Sequence, residues 1–599
     1  MSDGQRSFIA FGLIAVVLIL TPKYLRWLSP EAPGTELSSD SLMVEGFGAL
    51  FLEKAATPEP AIVPFRSSVP QVAERQWEVA TDRYRIVVSS LGGGTIARME
   101  LFGYKSGLSD GDVQMIPQSA GRPVPYVSYI NLDGDSVALV QSWEIITAPR
   151  TTTLRLEPGE SETFTFRYQL ASGAELTRKL TLRGDGFRFP MEVAWRRPGL
   201  ELGINVFELH WSAGLLPAES VLKEDETYGK AYVYQGGELA DMGAVRNGSD
   251  PRQTLPGDTD WVAIRNKYFA AALIADPGSP GQYGAFAARS ISAREVGQPE
   301  TNISRFTMAL GFPAQSRTEL SLYIGPLSYS EIKGLNVELE RIMNFGFALI
   351  RPLSKGILWT MVALHDYIPN YGVILILFAI AVRVITNPLT RKSATSTQKM
   401  QLIQPRITEL QAKYKGNPQK LNKETMALWR SEGVNPLGGC LPILIQLPLL
   451  WAFFIVFRTT IELRGQPFIW WVKDLSVPDV IYTLPFSIPL YGNGVTVLAL
   501  IMGITMFVQQ KVSGAGNNPQ QKPMMYMMTG MFFLLFNQFP SGLNLYYAFS
   551  NILSIFQQRN IRRALAAETG SVTSVPVQTK PVQTKHKPPV KRHKRRKRG

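Results

Sequence analysis

The stretch that decides the fold reads YGVILILFAIAVRVITNPL, from Tyr371 to Leu389. An uncharged run, Tyr371–Val382, leads directly into Arg383. A guanidinium inside a membrane span costs about 2.5–3.5 kcal/mol on insertion scales, and more if it faces lipid unaided. Arg383 therefore either extends to the headgroups from the end of its helix or faces a wet cavity lined by protein. Both interpretations make residues 371–390 a transmembrane helix.

Other apolar stretches on both sides of this helix have the length and composition of membrane spans. Residues 1–28 predict an uncleaved signal anchor; a cleaved signal peptide is the alternative, although no small-residue cleavage site follows the apolar run. The remaining predicted spans are 436–463, 495–511, 523–538 and 541–558. The sequence thus predicts six transmembrane helices.

The net charge of +14 is concentrated in two segments that flank these spans. Residues 391–435 hold nine Lys or Arg against three acids, and the tail 559–599 holds thirteen against one. Basic loops stay on the cytoplasmic side of bacterial membranes. Both termini are therefore expected in the cytoplasm, while residues 29–328 and the loop 464–494 are expected outside.

The exported part of the chain has the pattern of a β-domain. Residues 29–72 carry six prolines and predict a linker. From 73 to 328 apolar residues alternate with polar ones, as in Thr163–Leu170, and a Gly184-Asp185-Gly186 turn predicts a hairpin. We expect one large antiparallel β-sandwich. An amphipathic helix over 344–367 is expected in the membrane interface, with a helix capping the β-domain as the alternative.

The basic loop 391–435 predicts a cytoplasmic helical hairpin. Apolar residues at heptad spacing form its first helix, Gly416-Asn417-Pro418 breaks that helix, and a return helix follows. The apolar positions of the two helices are Met400, Ile403, Ile407, Leu410, Tyr414, Leu421, Leu428 and Trp429. A plain solvated hairpin that merely joins two spans is the alternative.

Most enzyme classes find no support in the sequence. The single cysteine, Cys440, excludes an intrachain disulfide and any cysteine-based zinc site, and four scattered histidines do not suggest a metal cluster. Gly92-Gly93-Gly94 lacks a following Gly-Lys-Ser/Thr and predicts a turn rather than a phosphate-binding loop. His210 alone serves the exported domain, which disfavours acid–base catalysis there. We expect no cofactor, no metal and no enzymatic activity.

Polar residues interrupt the predicted spans near their ends. Gln446 lies in the third span, and Asn537, Gln538, Asn544, Ser550, Asn551 and Ser554 lie around the last two. Taken singly, such residues usually hold helices together; taken with Arg383, they predict a polar intramembrane groove. A secondary transporter with a periplasmic ligand-binding domain is the alternative function, disfavoured because no inverted repeat is visible. A β-domain enzyme anchored by a helical bundle is a third.

Several long motifs resemble the YidC family of membrane-protein insertases. They are NPLGGCLPILIQLP from Asn435, FPSGLNLYY from Phe539, the stretch from Arg383 to Thr390, and WVAIRNKYF from Trp261 in the β-domain. The similarity covers 1–560 in order. One departure is Ala379, which stands where family members often carry threonine, one turn before the arginine.

The resemblance implies a membrane α-helical bundle with a five-helix insertase core, together with a large all-β periplasmic supersandwich domain. It implies that Arg383 is the groove arginine, that Tyr547 beside Tyr546 contacts substrate, and that the hairpin is needed for function. Expected partners are nascent membrane proteins, the Sec translocon and the phospholipid bilayer. The basic tail resembles ribosome-binding tails of some relatives, with anionic lipid as the rival partner. Its cations are Lys591, Arg592, Lys594, Arg595, Arg596, Lys597 and Arg598.

Overall fold

The computed structural model describes residues 72–570 except 118–122, 131–135, 171–172, 197–205, 244–250, 293–301, 315–316, 434–440 and 514–521. The predicted signal anchor, nearly all of the linker and the tail cations after 570 lie outside the described residues. The described chain forms two compact units. The β-unit comprises residues up to 376 with 447–499 and 534–545, and the helical unit comprises 377–446, 500–533 and residues from 546 onwards.

The described part of the β-unit is dominated by strands, as the alternating pattern predicts. In chain order they are β1 Gln76–Ala80, β2 Tyr84–Ser89, β3 Thr95–Lys105, β4 Asp112–Gln114, β5 Tyr126–Ile130, β6 Ser136–Ala138, β7 Glu144–Thr147, β8 Thr153–Arg155, β9 Ser161–Gln169, β10 Glu175–Arg183, β11 Arg188–Arg196, β12 Val206–Trp211, β13 Lys230–Gln235, β14 Glu238–Gly243, β15 Arg252–Arg265, β16 Phe269–Ala275, β17 Gly281–Ser292, β18 Asn302–Pro313 and β19 Arg317–Pro326. β10 and β11 pair antiparallel across Gly184–Gly186, which confirms the predicted hairpin.

Within the described residues these strands form two sheets. The smaller has the order β4-β3-β2-β1-β8, and the larger follows β6-β5-β12-β18-β17-β15-β16-β19-β11-β10-β9-β7, with β13 and β14 joined through β15. The pairing is antiparallel apart from β1 with β8, which is parallel and departs from the all-antiparallel prediction. The sheets share one apolar core, in which Trp77 meets Phe164 and Phe166 edge-on at 5.6 and 6.1 Å between ring centroids.

The glycine triplet is a turn, as predicted, and its purpose is close packing. Gly93 has φ +75°, and a Cβ there would lie 2.4 Å from the Trp143 ring. Fully buried Arg178 donates from Nη1 to the carbonyl oxygens of Gly92 at 2.9 Å and Pro125 at 2.8 Å. Burial lowers the pKa of Arg178 to about 9. The triplet therefore serves the core of the β-unit rather than a ligand.

Helices dominate the rest of the described chain. Their bounds are α1 Leu222–Tyr228, α2 Tyr329–Gly334, α3 Arg351–His365, α4 Tyr371–Lys413, α5 Pro418–Ser431, α6 Leu441–Thr459, α7 Val497–Ser513, α8 Lys522–Phe536 and α9 Ser541–Gly570, with 3-10 turns at Leu339–Ile342 and Ile461–Leu463. By length and apolar composition, the segment Tyr371–Thr397 is the one candidate span among the described residues, while Gln446–Thr459 and Val497–Ser513 are shorter apolar helices.

Predicted boundaries differ from the structure at several places, most of all at the following four. The helix expected over 344–367 starts only at Arg351, because Pro352 fits the first turn, where no backbone N–H is needed. No break separates the span ending at 390 from the hairpin, since α4 runs on through Pro388. The last helix continues to Gly570, beyond the predicted end at 558. The loop 464–494 contains a strand, β20 Val480–Ile488, whose partner β21 Gly492–Thr496 extends into the stretch assigned to the fourth span.

Candidate functional site

Arg383 lies on α4 in the helical unit and faces α9. Its Nη2 donates to the backbone oxygen of Ser550 at 3.0 Å and to the Ser550 hydroxyl at 3.2 Å. Its Nε is buried without a partner among the described residues. No described carboxylate forms an ion pair with it. The guanidinium therefore remains an uncompensated positive charge, held by neutral oxygen atoms.

Two tyrosines precede Ser550 on the same helix. Tyr546 is fully buried, one helical turn before Ser550, and lies near enough to Arg383 to interact with it electrostatically. Tyr547 packs edge-on against Tyr546, with 5.1 Å between ring centroids, and is partly exposed. The structure thus places Arg383 near Tyr546, with Tyr547 packed against Tyr546, and it adds Ser550. Spacing by four residues on α9 is the signal that would have picked Ser550 from the polar residues nearby.

Further polar contacts join the helices of this unit. Asn551 on α9 donates to Thr505 on α7 at 3.4 Å, and Thr529 on α8 donates to Gln510 on α7 at 2.8 Å. Gln557 on α9 donates to Asn387 on α4 at 2.7 Å. These bonds fit the common role of polar groups in apolar bundles, which is to hold helices together. Among the residues that form these hydrogen bonds and the bond to Ser550, Arg383 is the one with a charged side chain.

The other two predicted groove residues are Asn544, which belongs to the β-unit, and Gln446, which lies on α6 in the helical unit. Asn544 is fully buried in the β-unit, where its Nδ2 donates to the carbonyl oxygen of Phe536 at 3.1 Å and closes the turn between α8 and α9. Gln446 is half-buried on α6, and no described side chain hydrogen-bonds to it. The hydrogen bond from Asn544 to Phe536 therefore gives Asn544 a structural role in the turn between α8 and α9.

The predicted hairpin is formed by the end of α4 and by α5. Ile403 and Ile407 are buried against Met400 on α4 and against Leu428 and Trp429 on α5. Asn417 caps α5 by accepting from the Lys420 backbone at 3.0 Å. Leu410 is half-buried outside this cluster. The apolar contact between the helices is therefore short and leaves most of α5 exposed.

A second polar cluster lies in the β-unit, where the sequence offered only His210. Glu208 accepts from the hydroxyls of Ser128, Ser136 and Tyr283 at 2.9, 3.0 and 2.6 Å. His210 Nε2 lies 2.8 Å from the Ser128 hydroxyl and 3.2 Å from Glu208. A serine, a histidine and a carboxylate thus meet, but all three are wholly buried among strands. Their position inside the core indicates a structural role.

Replacing Glu208 with glutamine should destabilise the β-unit by about 1.5–3 kcal/mol, the range for hydrogen bonds to a charged group. Burial by itself would raise the pKa of Glu208, but His210 and the hydroxyl donors more than offset it and lower that pKa. A carboxyl group whose pKa is lowered by folding stabilises the folded state at pH values above its pKa in the unfolded chain, which is about 4.3 for glutamate. This stabilisation is lost as pH falls through the pKa of the folded state. Hydrogen exchange of β12 peptides in the full-length protein should show both effects. Ser136→Ala, which removes one neutral donor, should cost less; equal protection of E208Q and wild type would contradict the assignment.

Comparisons with known proteins bear on both units. Residues 363–568 match the family model described as 60Kd inner membrane protein, and residues 76–360 match the YidC periplasmic domain. Membrane protein insertase YidC of Chlorobium luteolum is 33% identical over 601 residues, which is 97% of this chain and 99% of the relative. The protein of the same name from Chlorobium phaeovibrioides is 34% identical over 92% of this chain and 94% of its own length.

A solved structure of an active YidC insertase with its first transmembrane domain resolved is 17% identical, with a TM-score of 0.34 over 85% of this chain and 96% of that one. The family assignment depends instead on the sequence matches, which cover both units and nearly the full length of the relatives. They confirm the resemblance to the YidC family, and the β-domain matches the model of the family's periplasmic domain. The chain belongs to the YidC family of membrane protein insertases.

Proposed function

We propose that this protein inserts and folds integral membrane proteins in the bacterial inner membrane through a polar groove around Arg383. The contact that supports the proposal is the bond from Arg383 to Ser550, because it fixes a cation inside an apolar helical unit where no described carboxylate pairs with it. Six spans, with cytoplasmic termini and a periplasmic β-domain, are part of the proposal. The positive charge of residues 391–435 supports this orientation.

The physical task of the groove is to lower the barrier for a hydrophilic segment that crosses hydrocarbon. Polar groups that leave water without partners cost several kcal/mol each. A path lined by Arg383, Tyr547 and hydroxyl groups replaces part of the lost hydration. α7 has seventeen residues, about 25 Å at 1.5 Å per residue, against a hydrocarbon thickness of about 30 Å. A short helix thins the bilayer around it, which shortens the crossing.

Arg383 would attract acidic residues of the translocated flank, and the apolar part of the substrate would then leave sideways into lipid. This mechanism needs no nucleotide and no acid–base chemistry. Membership of an insertase family favours it over the secondary transporter considered from the sequence. Action alone or beside the Sec translocon, and a chaperone role, belong to the proposal as what the family resemblance implies. The hairpin of α4 and α5 is the proposed cytoplasmic contact surface.

Photo-crosslinking from position 547 tests the groove directly. A photoreactive amino acid at Tyr547 should crosslink to a ribosome-stalled nascent membrane protein. The matched control is Phe549, which lies about 200° away around α9 and is also partly exposed. Crosslinks from 547 but not 549 would support the groove. Equal yields from both positions, or from neither, would contradict it.

Deleting residues 570–599 should weaken co-sedimentation with ribosomes, because the tail cations are proposed to bind rRNA phosphates. Such binding weakens steeply as salt displaces the contacts. The matched control keeps the tail length and replaces the seven cations of 591–598 with glutamine; it should behave like the deletion. Unchanged co-sedimentation, combined with loss of binding to vesicles containing phosphatidylglycerol, would assign the tail to anionic lipid instead.

A further inference from the structure

An apolar surface without charge lies between α6 and α7. Residues 480–496, which form β20 and β21, contain no Asp, Glu, Lys, Arg or His. Side chains of opposite faces of β20 are exposed together, including Ile481, Tyr482 and Phe486, the last two at 61% and 60%. Successive residues of a strand point to opposite sides. The face with Tyr482 and Phe486 carries no polar group other than the Tyr482 hydroxyl, whereas the face with Ile481 also carries the hydroxyls of Thr483 and Ser487. Both faces therefore expose apolar side chains to the surroundings, and neither carries a charge.

Two positions, one before β20 and one in the turn after it, present bulky side chains from an unusual backbone conformation. Trp470 has φ +54° and is 84% exposed, and Leu490 has φ +68° and is also exposed. Residues other than glycine rarely adopt this left-handed region, and bulky ones do so only where the surroundings hold them. The Trp470 ring stacks on Trp471, with 5.8 Å between centroids. The fold therefore keeps an indole and an isobutyl group outside under local strain.

The base of this surface is held by buried polar groups, all within the β-unit. Asn537 Nδ2 donates to the carbonyl oxygens of Tyr491 at 2.8 Å and Gly494 at 2.6 Å, and its Oδ1 accepts from the Thr496 hydroxyl at 2.7 Å. Asp479 accepts from Trp471 Nε1 and from the Leu498 backbone, each at 2.9 Å. An isolated two-stranded hairpin is marginally stable, but this one is fixed at its base. The apolar surface is thus built in a defined position.

We propose that this surface, formed by Trp470, Trp471 and the exposed residues of β20 and β21, lies in the lipid interface of the outer leaflet. This placement rests on the proposed function, because it requires that α6 and α7 cross the membrane. A hairpin that joins two spans begins and ends at one membrane face, so its apolar side chains are next to lipid. Tryptophan and tyrosine favour the headgroup level.

Two features of this segment indicate how deep the surface lies in the membrane and which lipids it contacts. They are the backbone edge of β20 and the lack of charged residues in 480–496. Among the residues that the structure describes, β20 pairs with β21 alone, so its other side is an open strand edge. An open edge cannot enter hydrocarbon, so the interface is the depth that suits both this edge and the apolar side chains. Without charged residues in 480–496, binding does not depend on lipid charge. A neutral lipid interface, rather than an anionic lipid or a charged protein surface, is the partner that fits.

A fluorescence experiment in proteoliposomes tests this placement. Phe486→Cys and Ile481→Cys are made in a full-length C440S background and labelled with an environment-sensitive dye. The matched control is Ser161→Cys, an exposed polar position on β9. In phosphatidylcholine vesicles, the dye at 486 and 481 should be quenched by lipids with a shallow spin label, and aqueous iodide should reach it several-fold more slowly than at 161. Adding phosphatidylglycerol or salt should change neither result.

Iodide access at 486 and 481 equal to that at 161 would overturn the proposal. Protection that appears only when a second membrane protein is reconstituted would also overturn it and would assign the surface to a protein partner. Quenching that requires phosphatidylglycerol would contradict the neutral character of the contact. Because the readout is the position of the hairpin and not insertion of a substrate, failure here leaves the groove around Arg383 untouched.

Discussion

Replacing Arg383 with alanine should lower insertion of substrates with acidic flanks about tenfold, whereas Arg383→Lys should largely preserve it. A tenfold loss corresponds to about 1.4 kcal/mol in the barrier. Two unit charges 4 Å apart gain about 1 kcal/mol in water and about 4 kcal/mol near a protein surface, so one lost attraction is sufficient. Lysine retains the positive charge and can still donate to the Ser550 oxygens that Arg383 Nη2 contacts.

The measurement is insertion into proteoliposomes of paired substrates that differ only in whether the translocated flank is acidic or neutral. The acidic member should lose more than the neutral one in R383A. Ser550→Ala is the matched control on α9, because it removes a hydroxyl acceptor but leaves the backbone oxygen and the cation in place. It should reduce insertion only slightly. Full activity of R383A on acidic flanks would exclude charge attraction at this position.

Part of this site could be predicted from the sequence. Arg383 is conspicuous because a charge interrupts an apolar run, and the tyrosines were found through the FPSGLNLYY motif. The sequence does not single out Ser550 as a partner of Arg383. One of the two atoms that accept from Arg383 is the backbone oxygen of Ser550, and every residue has such an oxygen. Asn544 shows the opposite case. Its polarity within an apolar stretch suggested a groove, while its amide closes a turn.

The same contrast applies to the β-unit. Alternation along β10 places Leu176, Arg178, Leu180 and Leu182 on one side, and all four are buried. The strand was therefore predictable, but the carbonyl oxygens that make a buried arginine tolerable come from distant turns at Gly92 and Pro125. Sheet order likewise depends on contacts between distant strands. From the sequence, the hairpin of β20 and β21 is expected to be a loop, although Tyr482 and Phe486 alternate with Thr483 and Ser487, because Pro485 interrupts the run and a proline disfavours a strand.

The second large effect should come from Arg464, which follows the 3-10 turn after α6 and attaches that segment to the β-sheets. Its Nε donates to Glu219 at 2.7 Å, and its Nη2 donates to the carbonyl oxygen of Lys105 at 2.7 Å. The two side chains of the ion pair are only 7% and 9% exposed. Removing one partner of a buried ion pair costs about 3–5 kcal/mol, because the other charge remains without compensation. Arg464→Met should therefore loosen this attachment strongly.

Arg458 provides a matched control within the same segment. It forms an ion pair with Glu224 at 3.2 Å but is 31% exposed, and ion pairs this accessible contribute about 1 kcal/mol or less. Hydrogen exchange of peptides covering residues 458–466 in the full-length protein should therefore accelerate much more in R464M than in R458M. Equal acceleration in both variants would show that burial of the pair is not what holds the segment.

The pH dependence of the R464M defect tests whether the defect comes from the uncompensated charge of Glu219. Burial raises the pKa of Glu219, and Arg464 opposes that rise in the native protein. Without the guanidinium, the pKa of Glu219 in the folded protein should rise further. A carboxyl group whose pKa is raised by folding stabilises the folded state at low pH, and this stabilisation is lost as pH rises. The defect of R464M should thus be greatest near neutral pH and smallest near about pH 4, where carboxyl groups protonate. A defect that is independent of pH would point to lost packing of the Arg464 side chain rather than to an isolated carboxylate.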